Sequence, residues 1–311
     1  MVGELVSFNN IIGNKNAKDF LIKSINNNTI LHSYMFIGRD GIGKKMIAKE
    51  FAKMILCEEF DGKECNTCKS CIEFESGNNP DYLLIEPDGK VIKIEQIREM
   101  QSKVLEKPVN LKKKVYIIDN ADYMTKEAQN CLLKTLEEPP EYIVIILIVS
   151  NENKILPTIK SRCVKLGFEK IDDEEIKRIL EENSKGEYIN NNILKLCDGS
   201  VGKCLSIEDK LDDYTQIDRL FDGIHNSLTS FISSAEILYK NKENINNYLD
   251  YINVILYNWT KEKQNGMRFI NSIKIVENTK NRLISNSNYD MCIDYLLFNI
   301  WEEINEKYSR S

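Results

Sequence analysis

The 311-residue sequence has no long apolar run: its longest uninterrupted stretch, Ile143 to Val149, is seven residues. A membrane-spanning helix needs about 20, so this run reads as a buried strand and no membrane partner is expected. The first residues, Met1-Val2-Gly3-Glu4, lack the basic start and apolar core of a secretory leader, and the chain reads as cytoplasmic. A basic excess is also missing. Net charge is −6, with 24 basic against 23 acidic side chains over residues 1–166, 6 against 10 over 167–208, and 12 against 15 over 209–311. Free-standing nucleic-acid binders draw most of their affinity from phosphate contacts. DNA contact is therefore expected to be weak or shared with partners, with Lys112, Lys113 and Lys114 as a local basic run. Histidine is scarce: His32 and His225 are the only two, and neither has a ligand or triad context. Without a nucleophile elbow or paired acid–base carboxylates, hydrolase or transferase chemistry on another substrate finds no basis.

Cysteine, by contrast, is plentiful. Cys57, Cys65, Cys68 and Cys71 fall within fifteen residues, spaced C-x7-C-x2-C-x2-C. Four thiolates satisfy tetrahedral zinc and leave no open position for water, so the cluster reads as a structural clip for residues 57–79. An iron–sulfur cluster is the lesser alternative. Cys131, Cys163, Cys197, Cys204 and Cys292 show no pairing pattern and read as packing residues.

Apolar periodicity divides the chain. Over 1–166, helical stretches (15–26, 44–56, 94–105, 125–137) alternate with strand-like runs at 34–37, 82–85, 115–118 and 143–149, which implies a mainly parallel α/β sheet. Thr125 is a plausible N-cap, and Pro139 and Pro140 stop the helix that it opens. Strand signals vanish after about residue 169. Residues 171–204 read as two or three short helices and 209–311 as all-helical. Apolar stripes at Tyr248, Tyr251, Ile252, Ile255, Leu256 and Trp259, and at Met291, Tyr295, Phe298 and Trp301, read as core. This gives three expected domains: 1–166, 167–208 and 209–311.

Gly38-Arg39-Asp40-Gly41-Ile42-Gly43-Lys44 has the G-x4-G-K spacing of a phosphate-binding loop, between a strand and a helix. Glycines let backbone N–H groups wrap an anion, and Lys44 can reach the outer phosphates. The next residue should carry a hydroxyl for Mg²⁺, yet it is Lys45. Asp119 ends a strand where a metal-associated carboxylate belongs. The glutamate that would activate water after it is replaced by Asn120. The loop thus reads either as a vestige or as a weak ATP/ADP site, with hydrolysis disfavoured twice. Arg162, in Ser161-Arg162-Cys163, reads from pattern alone as a solvated surface residue.

A set of motifs adds to this reading: Ile11-Ile12-Gly13-Asn14, Leu31-His32-Ser33-Tyr34, the four-cysteine insert, Asp119-Asn120-Ala121-Asp122, the run Ala128-Gln129-Asn130-Cys131-Leu132-Leu133-Lys134-Thr135-Leu136-Glu137-Glu138-Pro139-Pro140, and Pro157-Thr158-Ile159-Lys160-Ser161-Arg162-Cys163. Their order and spacing over 1–166 resemble the AAA+ clamp-loader subunits of bacterial DNA polymerase III, the delta-prime type in particular. Over 167–208 the resemblance rests on Asp198-Gly199-Ser200 and Lys203; beyond, only helical content and length agree. It implies an α/β P-loop AAA+ domain with a zinc-binding insert, then a small helical lid and an all-α collar. It also implies a non-hydrolysing stator with no activity alone, working within the polymerase holoenzyme. Its implied partners are the gamma/tau motor and delta subunits, with the sliding clamp and primed DNA met through the complex. Arg162 becomes a finger presented in trans to a neighbour's ATP. Gly38, Gly41, Gly43, Lys44, Asp119 and Asn151 become a degenerate nucleotide site, with Asn151 (after Ser150) at the sensor position. The alternative is an active AAA+ ATPase, a motor subunit or remodelling enzyme, against which Lys45 and Asn120 speak.

Overall fold

The computed structural model describes residues 8, 11–60, 64–110, 112–183, 190–208, 210–262, 266–285 and 287–305; the reading of Met1 to Glu4 lies outside them. The described residues of 1–175 together with 200–202 form one compact unit, and those of 176–199 and 203–305 form a second.

The first unit runs α1 (Lys15–Asn26), β1 (Ser33–Ile37), α2 (Lys44–Ile55), α3 (Lys69–Glu75), β2 (Tyr82–Ile85), α4 (Ile94–Val104), β3 (Lys114–Ile118), α5 (Lys126–Glu137), β4 (Ile143–Val149), α6 (Pro157–Lys160) and β5 (Val164–Gly167). All strand pairings are parallel, in the order β2-β3-β4-β1-β5. Successive side chains of a strand point to opposite faces, and both faces here are apolar. Tyr34, Phe36, Val115, Ile117, Val144, Ile146 and Ile148 meet Leu21 of α1 and Ile47 and Phe51 of α2. Met35, Tyr116, Ile118, Ile145 and Leu147 meet Ile97 and Met100 of α4 and Leu132 and Leu136 of α5. Hence β4 is buried throughout, as expected of a central strand covered on both sides. The Thr125 hydroxyl accepts from the Ala128 N–H at 3.2 Å and starts α5.

β5 was not legible as a strand. Only Leu166 of its four residues is buried, so it carries too short an alternation to register. Its pairing with β1 gives that strand a second neighbour, and Ser33 to Phe36 are buried.

Beyond it the chain is helical: α7 (Asp173–Asn183), α8 (Asn191–Cys197), α9 (Val201–Glu208), α10 (Leu211–Asp222), α11 (Leu228–Ser233), α12 (Glu236–Lys240), α13 (Ile245–Glu262), α14 (Gly266–Ile284) and α15 (Tyr289–Asn305). Tyr248 and Tyr251 of α13 are buried edge-on against Tyr214, with ring centroids 5.8 and 4.9 Å away. The stripe on α15 requires correction. Met291 is 69% and Phe298 45% exposed, and the helix instead buries Cys292, Ile293, Leu296, Leu297, Ile300 and Ile304. The helix carries two apolar stripes at helical spacing, and the aliphatic one packs inward rather than the one with Met291 and Phe298. Cys197 and Cys204 also depart from expectation: a disulfide joins them. Between them, Asp198 and Gly199 adopt left-handed φ values of 48° and 80°, which turn α8 back toward α9 and bring the two thiols together. Among the described residues no helix is long and apolar enough to cross a membrane.

Candidate functional site

The glycine-rich loop joins the C-terminal end of β1 to the start of α2. Gly41 and Gly43 have φ of 75° and 88°, in the left-handed region that side chains resist. Gly38 is needed for room: a Cβ there would lie 2.6 Å from Ile42 Cδ1 and 2.8 Å from the Phe168 carbonyl oxygen. The N–H of Gly202, in the first turn of α9, donates to the Gly41 carbonyl at 3.1 Å and braces the loop.

Lys44 is only 5% exposed. Its Nζ donates to the carbonyls of Gly38 and Arg39 at 2.5 Å each and to Ser150 Oγ at 3.2 Å. Burial lowers its pKa against the opposing charges of Asp40, Asp122 and Asp119. Ser150 Oγ in turn donates to Asp40, and the Ser150 N–H donates to Asp122 Oδ1 at 3.0 Å.

Lys45 points the other way. Its Nζ lies 2.9 Å from Asp119 Oδ2 and 2.5 Å from Glu86 Oε1. Burial opposes its charge, but the hydrogen bonds to Glu86 and Asp119 outweigh that and raise its pKa. Asp119 is buried at the end of β3, where its other oxygen, Oδ1, accepts from the Asn120 N–H at 3.0 Å. Gly38, Gly41, Gly43, Lys44 and Asp119 thus gather at the C-terminal edge of the sheet. Asn151 sits beside them in sequence, but its side chain accepts from the Asn153 N–H at 3.1 Å and caps its own turn. The residue that touches the loop is Ser150. Neither Ser150's contact nor Glu86 emerged from motif spacing. Glu86 was findable: β2 pairs with β3 so that Ile85 faces Ile118, which puts the next residues, Glu86 and Asp119, side by side.

Arg162 lies elsewhere. It precedes β5, and its carbonyl accepts from Ser33 Oγ at 2.6 Å, at the N-terminal start of β1. Its Nη2 pairs with Glu137 at 2.8 Å, and its Nη1 donates to the Thr158 carbonyl at 2.9 Å. The side chain is 34% exposed.

The four clustered cysteines converge. Cys57 follows α2, Cys68 is the N-cap of α3, and Cys71 lies in its first turn. Their sulfurs and that of Cys65 all lie within 4.8 Å of one another. The N–H groups of Cys65, Cys68 and Cys71 donate to the sulfurs of Cys57, Cys65 and Cys68 at 3.3, 3.2 and 3.4 Å. Such bonds stabilise thiolates, and all four cysteines are free of disulfides. Tetrahedral zinc with Zn–S of about 2.3 Å sets its sulfurs about 3.8 Å apart, a spacing that this donor set can meet.

A family model described as "DNA polymerase III, delta subunit" matches residues 13–172, slightly more than half of the chain. The chain belongs to this family of DNA polymerase III clamp-loader subunits. Among curated relatives, DNA polymerase III subunit delta' of Bacillus subtilis is 39% identical over 164 residues, covering 52% of this chain and 50% of that protein. Subunit gamma/tau of Mycoplasma pneumoniae is 34% identical over 215 residues, covering 67% of this chain and 31% of that protein. The chain thus spans a third to a half of the length of these relatives. The crystal structure of a DNA polymerase III gamma subunit-related protein from Thermotoga maritima shares the fold, with a TM-score of 0.51 at 16% identity, over 94% of this chain and all of that one.

Proposed function

We propose that this chain is a non-hydrolysing stator of a DNA polymerase III clamp loader. In this role it assembles with gamma/tau motor and delta subunits in the cytoplasm and supplies Arg162 in trans to a neighbour's ATP. The observation that carries the reading is where Arg162 stands. Its backbone is tied to Ser33, and its own loop begins at Gly38. Five residues of strand separate the two ends of β1 by about 16 Å at roughly 3.3 Å per residue. A guanidinium at the opposite edge of the sheet cannot serve the chain's own phosphates, which favours a role toward those of an adjoining subunit. Its partner Glu137 is half exposed, so the cis ion pair is a weak tether of the kind worth about 0.2–1 kcal/mol. A neighbour's triphosphate would outcompete it.

The chain's own loop supports the same division of labour. The Mg²⁺-binding hydroxyl is replaced by Lys45, the water-activating glutamate by Asn120, and Lys45 holds the one remaining metal carboxylate, Asp119. ATP or ADP bound at Gly38–Lys44 would stay intact. The sliding clamp and primed DNA are then met through the complex, with residues 167–208 acting as lid and 209–311 as collar.

Zn²⁺ held by Cys57, Cys65, Cys68 and Cys71 would serve as a closed structural clip. Bound there it supplies cross-linking and no chemistry, because four protein sulfurs leave it no site for substrate. The finger is tested by reconstituting the complex with Arg162→Ala. Loss of clamp- and DNA-stimulated ATPase is expected, and robust ATP turnover by the isolated chain would restore the motor reading.

A further inference from the structure

In P-loop proteins the metal ion is held by a hydroxyl directly after the loop lysine and by an acidic residue ending the adjacent strand. Both positions are present here, and they bind each other. Lys45 occupies the hydroxyl position, and its Nζ sits 2.9 Å from Asp119 Oδ2 and 2.5 Å from Glu86 Oε1. Glu86 and Asp119 follow two neighbouring parallel strands, so their carboxylates make an acidic notch, open to solvent on the Glu86 side, in which the ammonium is the cation.

We propose that the Lys45 ammonium is a tethered replacement for the divalent metal, and that the loop therefore binds nucleoside di- or triphosphate in its metal-free form. A divalent ion approaching Asp119, alone or on a nucleotide, would find Oδ2 already taken by the ammonium and would have to displace it. A metal-free polyphosphate needs no metal ligand and instead meets Lys44 as its counter-charge. Lys44 exchanges its loop carbonyls for phosphate oxygens, and the N–H groups of the glycine loop and the start of α2 complete the cradle. Ser150 and Asp40, already linked to each other and to Lys44, form the wall that has to open. The same arrangement forbids hydrolysis, because it excludes the metal rather than merely lacking a ligand for it.

The inference rests on reading residues 38–44 as a nucleotide loop; it does not depend on Arg162. Its test is calorimetric titration of the full chain with ADP and with ATP, in chelator-free buffer with and without millimolar Mg²⁺, so that zinc is not stripped. Wild type is expected to bind at least about tenfold more tightly without Mg²⁺, because millimolar Mg²⁺ converts most of the nucleotide into the metal complex that the loop rejects. The linkage is expected to reverse in Lys45→Thr, which would bind about tenfold more tightly with Mg²⁺. Wild-type binding that is unchanged or strengthened by Mg²⁺, or a Lys45→Thr variant indifferent to it, would overturn the inference while leaving the nucleotide loop standing. No binding under either condition would overturn both. Should Lys45→Thr fail to fold, Mn²⁺ paramagnetic resonance on wild type decides the matter. The Mn²⁺·ATP signal is expected to be unchanged by added protein, and a protein-bound Mn²⁺·ATP species would refute the proposal.

Discussion

Removing metal from the cysteine cluster should melt the insert and spare the sheet. Ordering the seven residues of α3 costs about 7–14 kcal/mol at roughly 1–2 kcal/mol each. The polar and aromatic anchors in place are few. Cys68 caps the helix, and Asn79 Nδ2 donates to the Ser70 carbonyl at 3.0 Å and to Ser70 Oγ at 2.9 Å. Phe74 stacks on Tyr82 at 4.4 Å. The Ser70 N–H also donates to Glu58 at 3.2 Å, Asn110 Nδ2 donates to Glu73 at 2.7 Å, and Lys53 pairs with Glu75. At about 1 kcal/mol for each of these contacts they supply roughly 7 kcal/mol. Most of the apolar surface beside them is cysteine itself, with Phe60 the main addition. The shortfall reaches about 7 kcal/mol, within the roughly 10–16 kcal/mol that four-ligand zinc sites deliver to small peptides. Hydrogen exchange read by mass spectrometry, before and after chelation of the purified chain, measures the effect. The described amides of 57–79 should lose about 10²-fold or more of their protection, while Ile143–Val149 keeps its own. Cys68→Ser should give the same pattern without chelator. An insert equally protected after chelation, or elemental analysis finding no zinc in protein purified without chelator, would refute the reasoning.

Gly38→Ala should cost about 1–3 kcal/mol, because the new Cβ collides with a backbone oxygen that cannot yield easily. Thermal melting should fall by about 2–10 °C. Glu50 is buried beside Glu64, which lifts its carboxyl to about 7, with Lys53 opposing. Because the folded pKa exceeds the unfolded one, ionisation opposes folding. The penalty is absent below about pH 4, grows through pH 4.5 to 7, and is complete above that. Glu50→Gln should therefore stabilise the chain more at pH 8 than at pH 4; denaturant melts at the two pH values would show this, and an equal effect at both would contradict it.

Much of the architecture was legible because its signals are local. The loop spacing from Gly38 to Lys44, the four-cysteine interval and the unbroken run Ile143–Val149 each carry their meaning within a few residues. What escaped depends on partners far apart in sequence. Lys45 read as a lost hydroxyl; its bond to Glu86, 41 residues away, exists only because β2 and β3 run in parallel and in register. Ser150 and Asn151 are both polar and adjacent, and only the backbone turn after β4 decides that the serine faces Lys44 while the asparagine caps its own turn. β5 needs β1 beside it to be a strand at all. The face of α15 was misjudged because an apolar helix offers several stripes, and only its neighbours choose between them.

The most direct test of the central claim is the ATPase rate of the reconstituted clamp loader, with clamp and primed DNA present, comparing wild type with Arg162→Ala and Arg162→Lys. Fingers of this kind are worth ~10³–10⁵ at the site they face. The contribution of that site should therefore vanish with alanine and return at most weakly with lysine, whose point charge lacks the planar fork. Assembly should be unchanged. Full stimulated turnover by an assembled Arg162→Ala complex would contradict the account.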